Sequence, residues 1–188
     1  MSTARPGLPC VATFGELLLR LDAPGFDRLT QASSFQVRYT GAEANAAVAL
    51  AQFGHPTRVI SAVPANEVGD ACVQYLRQFG VGTEHVLRTG PRLGILYVEK
   101  GASVRPGTVV YDRAGSSFSQ LKPGQIPWTD VLPWCRWLHW SGTAPAVAPE
   151  LADVIAEGCR VAHSLGLMVS CDLNFRSRLW SAERARSV

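Results

Sequence analysis

The stretch from Gly41 to Gly54, GAEANAAVALAQFG, constrains the fold more than any other part of the chain. Gly41 permits the close backbone approach with which a helix begins beside a ligand. Glu43 and Asn45 fall in the first turn, where free amide groups and the helix dipole attract polar or anionic groups. Small side chains follow on nearly every side, up to a left-handed cap at Gly54. We expect a helix that lies close against a sheet and carries a ligand at its N-terminus; a buried, capped helix without a ligand is the alternative.

Strand-like and helix-like patterns alternate from residue 41 onward, which is typical of a mainly parallel sheet with helices on both faces. The segments of about 17–40 and 93–119 do not fit this alternation, and we expect them to form a separate antiparallel flap over one edge. Apolar runs predict strands at 10–14, 17–21, 35–39, 57–63, 86–88 and 136–140, a hairpin over 93–113 and a buried strand at 167–171. Helical spacing predicts helices at 69–79 and 150–165, a single turn at 127–133, and a last helix capped by Ser181.

Composition excludes several classes of function. The 188 residues suffice for one domain, and a net charge of +3 gives no case for binding a nucleic-acid backbone. Five cysteines without a C-x-x-C pair and four scattered histidines show no metal-ligand spacing, so we predict no protein metal site. Neither a signal peptide nor an 18-residue apolar span occurs, so we expect a cytoplasmic protein without a membrane partner.

Polar residues follow the predicted strand at 167–171, at the edge of a parallel sheet where ligands bind. Asp172, Asn174 and Arg176 alternate there within five residues. An aspartate can hold a cation or a hydroxyl group, and an arginine can form paired hydrogen bonds with a carboxylate or phosphate. The alternative is that Asp172 and Asn174 cap the following turn while Arg176 forms a surface ion pair.

The predicted hairpin places Tyr111 and Arg113 on one face, because side chains alternate along a strand. A tyrosine hydroxyl beside a guanidinium group suits a sugar acid, whose carboxylate would bind the arginine; an ordinary cross-strand pair is the alternative. Tyr97 on the other arm of the hairpin could join them. No G-x-G-x-x-G after a strand, no P-loop and no G-x-S-x-G occurs, so dinucleotide, P-loop and hydrolase functions have no support.

Taken together, these stretches resemble the ribokinase-like (PfkB) carbohydrate kinases, and most of all the branch of 2-keto-3-deoxygluconate kinases. The run from Gly41 to Gly54 is similar to the first signature of that family. The other matching stretches are RLGILYVEKGAS at 92–103, DRAGSS at 112–117, SGTAPA at 141–146 and CDLNFRSRLW at 171–180. The resemblance covers nearly the whole chain from residue 10.

The resemblance implies a three-layer α/β/α core with a β-sheet lid at about 17–40 and 93–119. It also implies transfer of the γ-phosphoryl group of ATP, with Mg²⁺, to a hydroxyl of 2-keto-3-deoxygluconate. Asn174 would lie near the phosphates and the metal, and Asp172 would support that part of the site. The substrate contacts that it implies are Gly41, Ala42, Glu43, Asn45, Tyr97, Tyr111, Arg113, Thr143 and Arg176.

The second family signature, with its G-A-G-D turn, anion hole and catalytic aspartate, lies downstream in family members, beyond Val188. We therefore interpret residues 1–188 as the N-terminal, substrate-binding part of one kinase domain. We predict no useful kinase activity for this chain alone, and an exposed apolar sheet edge that promotes aggregation. An exposed lid face is compatible with a homo-oligomer. Another sugar kinase of this family, such as a fructokinase or ribokinase, and a non-catalytic sugar-acid binding module are the alternatives.

Overall fold

Two β-sheets organise the structure, a computed structural model that describes residues 9–177 and 179–187. Its strands are β1 (Cys10–Phe14), β2 (Leu18–Asp22), β3 (Gln36–Thr40), β4 (Thr57–Val63), β5 (Val86–Arg88), β6 (Gly94–Glu99), β7 (Thr108–Asp112), β8 (Cys135–Ser141) and β9 (Met168–Asp172). Its α-helices are α1 (Ala42–Gln52), α2 (Glu67–Arg77), α3 (Trp128–Val131), α4 (Thr143–Val147), α5 (Leu151–Ser164) and α6 (Ala182–Ser187), and a 3-10 turn covers Phe118–Gln120.

The central sheet is entirely parallel, with the strand order β5-β4-β1-β8-β9. Alternate side chains of β4 point to opposite faces, as the pleat requires. Val59 and Val63 pack in a core with residues of α1 and α2, whereas Ile60 and Ala62 pack in a second core with residues of α3 and α5. The predicted parallel sheet with helices on both faces is therefore confirmed.

The second sheet, here called the lid sheet, has the strand order β3-β2-β6-β7. All four strands lie within the segments 17–40 and 93–119, and β6 and β7 form the predicted antiparallel hairpin. The expectation that this sheet is antiparallel throughout was wrong, because β2 and β6 pair in parallel. Parallel neighbours need a long crossover, and the chain from β3 to β5 supplies it.

Helix α1 lies close against the central sheet because its inner side chains are small. Ala44, Ala47 and Ala51 are buried there, and Gly54 ends the helix with a positive φ of 86°. Gly41 has an extended backbone, but a β-carbon at this position would lie 2.4 Å from the carbonyl oxygen of Glu16. Close approach, not an unusual backbone conformation, therefore requires a glycine at the start of α1.

Strand β9 differs from its prediction as a buried strand. Within the described residues it pairs with β8 alone, and Met168 and Val169 are 59% and 42% exposed. This apolar edge strand agrees with the expectation of an exposed apolar sheet edge.

Ser181 caps α6 as predicted, since its Oγ accepts a hydrogen bond from the backbone N–H of Arg184. In the described part of the chain, no helix has the length and apolar character needed to cross a membrane.

Candidate functional site

An open hollow of about 470 Å³ lies between the lid sheet and the carboxyl ends of the central strands. The start of α1 contributes Gly41, Ala42 and Asn45 to its lining, and the lid sheet and the turn after it contribute Tyr111 and Arg113. Polar groups from two distant parts of the sequence thus meet at the sheet edge at which parallel α/β folds bind ligands.

The start of α4, which follows β8, and the turn after β9 complete the hollow with Thr143, Asn174 and Arg176. Eight of the eleven residues named as candidates from the sequence therefore line one cavity. Their contacts with a substrate remain predictions, but their convergence is a property of the fold.

The other three candidates, Glu43, Tyr97 and Asp172, do not line the hollow. Glu43 is buried behind the first turn of α1. On β6, Leu96 lines the hollow and pairs with Tyr111, so the next residue, Tyr97, faces the opposite side of the lid sheet. There its ring packs against that of Phe35, with centroids 6.0 Å apart. The arrangement gives no support to a substrate contact by Tyr97.

Asp172 and Asn174 shape the turn that follows β9. The Asp172 carboxylate accepts a hydrogen bond of 2.9 Å from the backbone N–H of Asn174, which has a positive φ of 41°. Asparagine tolerates this left-handed conformation better than most residues. For Asp172 the structure thus shows the turn-capping alternative. Arg176 lines the hollow, and within the described residues its one side-chain hydrogen bond is to the carbonyl oxygen of Phe175.

A buried carboxylate, Glu16, fixes the orientation of Arg113. The Nε of Arg113 donates a hydrogen bond of 2.6 Å to Glu16 Oε2, and the Ser116 hydroxyl donates one of the same length to Oε1. The guanidinium group also lies 5.4 Å from the ring centroid of Tyr111, a cation–π distance. Within the described part of the chain, only Nε of Arg113 is hydrogen-bonded, so its two terminal nitrogens remain available to an anion.

Glu43 connects to the hollow through two hydroxyl groups. Ser141 Oγ donates a hydrogen bond to Glu43 Oε1 and lies 2.7 Å from Oγ1 of Thr143. Burial raises the pKa of the Glu43 carboxyl, because desolvation penalises the charged form, and the hydrogen bond from Ser141 partly opposes that shift. A β-carbon at position 15 would overlap the Glu43 carboxylate, so Gly15 provides the space for it.

Glu16 and Ser141 were not among the candidate site residues named from the sequence, although their segments were placed at the ligand-binding ends of strands. Each comes at or directly after the end of a central strand, in the turns GE at 15–16 and SGT at 141–143. That position was a usable signal, since the carboxyl ends of parallel strands meet at one edge. The described residues contain no group of three or more His, Cys, Asp or Glu side chains placed to hold a metal ion.

Comparison with known proteins agrees with this geometry. A family model described as pfkB family carbohydrate kinase matches residues 9–188. The chain belongs to this family. The crystal structure of 2-dehydro-3-deoxygluconokinase from Thermotoga maritima superimposes with a TM-score of 0.93 and 46% sequence identity, covering 96% of this chain and 55% of that one.

Two curated members of the family show the same relationship. The chain is 33% identical to 2-dehydro-3-deoxygalactonokinase of Haloferax volcanii, over 95% of its own length and 56% of that protein. It is 30% identical to 2-dehydro-3-deoxygluconokinase of Bacillus subtilis, over 89% of its own length and 52% of that protein. The chain therefore spans about half the length of the curated relatives it matches.

Proposed function

We propose that this chain is the N-terminal, substrate-binding part of a kinase that transfers the γ-phosphoryl group of ATP to 2-keto-3-deoxygluconate. The observation that carries the proposal is the convergence of Gly41, Tyr111, Arg113 and Arg176 on one hollow. The names of the relatives support the same substrate class, because they describe kinases of 2-dehydro-3-deoxy sugar acids, another name for 2-keto-3-deoxy acids.

Each group of the hollow suits one part of such a substrate. The terminal nitrogens of Arg113 and the guanidinium of Arg176 would bind the carboxylate, since arginine forms strong paired hydrogen bonds with carboxylates. Tyr111 and Asn45 would bind hydroxyl groups, and the amides at the start of α1 add donors near Gly41. Phosphoryl transfer depends chiefly on positioning and charge stabilisation, so this half of the site would supply the positioning.

ATP and Mg²⁺ belong to the proposal through the family. Mg²⁺ is usually held by one or two carboxylates together with substrate phosphates and water. Asp172 is committed to the turn, while Asn174 offers an uncharged amide in the hollow. The described residues therefore do not fit a complete Mg²⁺ site. Asn174 near the phosphates remains a prediction, and because the proposed reaction consumes ATP we expect the protein in the cytoplasm.

Binding of the acid to this chain tests the proposed substrate. We expect addition of 2-keto-3-deoxygluconate to ¹⁵N-labelled protein to shift the amide resonances of Gly41, Ala42 and Asn45 together, with one dissociation constant. No shifts, or shifts only at residues far from the hollow, would refute the proposal. No G-A-G-D turn occurs in the 188 residues, so we expect no turnover above a blank with ATP, Mg²⁺ and the acid. Turnover would refute this expectation.

Two other functions make different predictions. A kinase for a neutral sugar, such as a fructokinase or ribokinase, would bind that sugar better than the acid, and two arginines in the hollow argue against it. A non-catalytic binding module would bind the acid without belonging to a kinase. An open reading frame beyond Val188 that encodes a G-A-G-D turn would favour the kinase over the module.

A further inference from the structure

A chain of three oxygen-bearing side chains runs from the buried start of α1 to the hollow. We propose that Glu43 is a positioning residue: through Ser141 it orients the Thr143 hydroxyl so that Thr143 accepts a hydrogen bond from a substrate hydroxyl group. The inference rests on the proposed function for the identity of the substrate. The hydrogen-bond chain itself is a feature of the protein without ligand.

The direction of the hydrogen bonds follows from counting protons. When Glu43 is ionised it has no proton to donate, so Ser141 donates its one hydroxyl proton to Glu43 Oε1. Thr143 Oγ1 lies 2.7 Å from Ser141 Oγ, so Thr143 must be the donor in that bond. With its proton turned towards Ser141, Thr143 presents only lone pairs to the hollow that it lines. A ligand group that meets Thr143 must therefore be a donor.

The surroundings of Glu43 indicate that this carboxyl is more than a packing element. It is 2% exposed, and burial of a carboxyl group is costly unless it is hydrogen-bonded. Gly15 leaves room for it, and Ser141 is itself only 1% exposed. The carboxyl ends of two different strands, β1 and β8, are thus shaped around Glu43. An apolar side chain would fill the same space without this cost.

The proposal assigns different side chains of the hollow to different parts of the substrate. Arg113 and Arg176 present donors, which suit a carboxylate, whereas Thr143 presents an acceptor, which suits a hydroxyl and repels a carboxylate oxygen. The chain of Glu43, Ser141 and Thr143 would therefore help to set the direction in which a sugar acid lies between lid and core.

A ligand-free titration tests the hydrogen-bond chain. The ¹³Cδ resonance of Glu43 is followed across pH in wild type, Thr143→Val and Thr143→Ser. Among the described residues Thr143 is not hydrogen-bonded to Glu43, but its bond to Ser141 strengthens the bond from Ser141 to the carboxylate. Both variants retain the other groups that act on the Glu43 carboxyl among the described residues: the hydrogen-bond partner Ser141, the charge of Arg113 and the nearby thiol of Cys171. We expect Thr143→Val to raise the pKa of Glu43 and Thr143→Ser to leave it unchanged; equal values in all three proteins would overturn the proposal.

A double-mutant cycle tests the role in binding. Using calorimetry with 2-keto-3-deoxygluconate, we expect Thr143→Val to weaken binding about tenfold and Glu43→Gln about fivefold, magnitudes typical of single hydrogen bonds. The double variant should bind no worse than Thr143→Val alone, because Glu43 acts through Thr143. Multiplying effects would overturn the proposal. Ser164→Ala, at the far end of α5, is the control. If wild type binds no sugar acid, the proposed function fails, and the titration still decides the hydrogen-bond chain.

Discussion

Glu16 determines which edge of the Arg113 guanidinium group faces the hollow. Their side chains are only 2% and 12% exposed, and the bond between them uses Nε, which leaves the outer edge of the guanidinium towards the hollow. Ser116 satisfies the second carboxylate oxygen. A buried charge without its partner is strongly destabilising, so Glu16 both holds Arg113 in place and contributes to stability through that ion pair.

We predict that Glu16→Gln lowers the free energy of unfolding by about 3 kcal/mol, because Arg113 then lacks a buried counter-charge. Urea denaturation at neutral pH measures this loss. Glu150→Gln is the matched control, since Glu150 forms an ion pair with Lys122 at the surface and should leave the midpoint unchanged. Equal midpoints for the two variants would show that the buried ion pair contributes no more to stability than the surface ion pair.

The Glu43 carboxyl should give stability a defined pH dependence. Burial raises its pKa in the folded protein above the ordinary 4.5. Its contribution to stability is therefore fully present below pH 4.5 and is lost as pH rises through the raised value. Relative to Glu43→Gln, which stays neutral, wild type should become less stable as pH rises from 4.5 through the raised pKa of Glu43. Urea unfolding measures the difference; a difference that is constant or grows with pH would contradict the assignment.

At the scale of elements, α1 links the core to the site. Its small inner face brings it against β1 and β4, and its first residues then form one wall of the hollow. The tightest point is Gly41, where the backbone approaches the carbonyl oxygen of Glu16. A shift of this helix start would move Ala42 and Asn45 with it.

We predict that Gly41→Ala costs about 2 kcal/mol of stability, because the new methyl group meets backbone that cannot move aside. It should also weaken binding of the sugar acid. Thermal unfolding and calorimetry measure the two effects. Ala49→Ser, at an exposed position of the same helix, should change stability by less than about 0.5 kcal/mol. A Gly41→Ala protein as stable as Ala49→Ser would refute the close approach.

The elements themselves were largely predictable, because apolar runs and turn residues define strands such as β4 locally. The exposure of β9 was not predictable, since the same apolar run of residues can form a central strand or an edge strand. Helix α4 was missed because its five residues are too few to show a helical period. The parallel pairing of β2 with β6 joins segments that lie far apart in the chain, and no local pattern specifies it.

At the scale of the whole molecule, the site is where the lid sheet meets the carboxyl ends of the central sheet. This general location followed from the alternation of strands and helices, whereas most of the lining was named from local motifs and from the family resemblance. The supporting contacts did not, because they join residues distant in sequence. Glu16 and Arg113 are 97 positions apart, and Glu43 and Ser141 are 98 positions apart. Only the fold reveals that Glu43 is hydrogen-bonded to Ser141 behind the hollow.

Binding selectivity of Arg176→Ala tests the central claim, that the hollow receives a sugar acid. Arg176 lines the hollow without an ion-pair partner among the described residues, so its removal should leave folding intact. By calorimetry, we expect the variant to bind 2-keto-3-deoxygluconate about 30-fold more weakly than wild type, the typical effect of a lost charged hydrogen bond. Arg160→Ala removes the same charge from the exposed surface of α5 and should have no effect. Loss of affinity for the acid, with binding of fructose unchanged, is the predicted result. An affinity for the acid equal to that of Arg160→Ala would contradict the account.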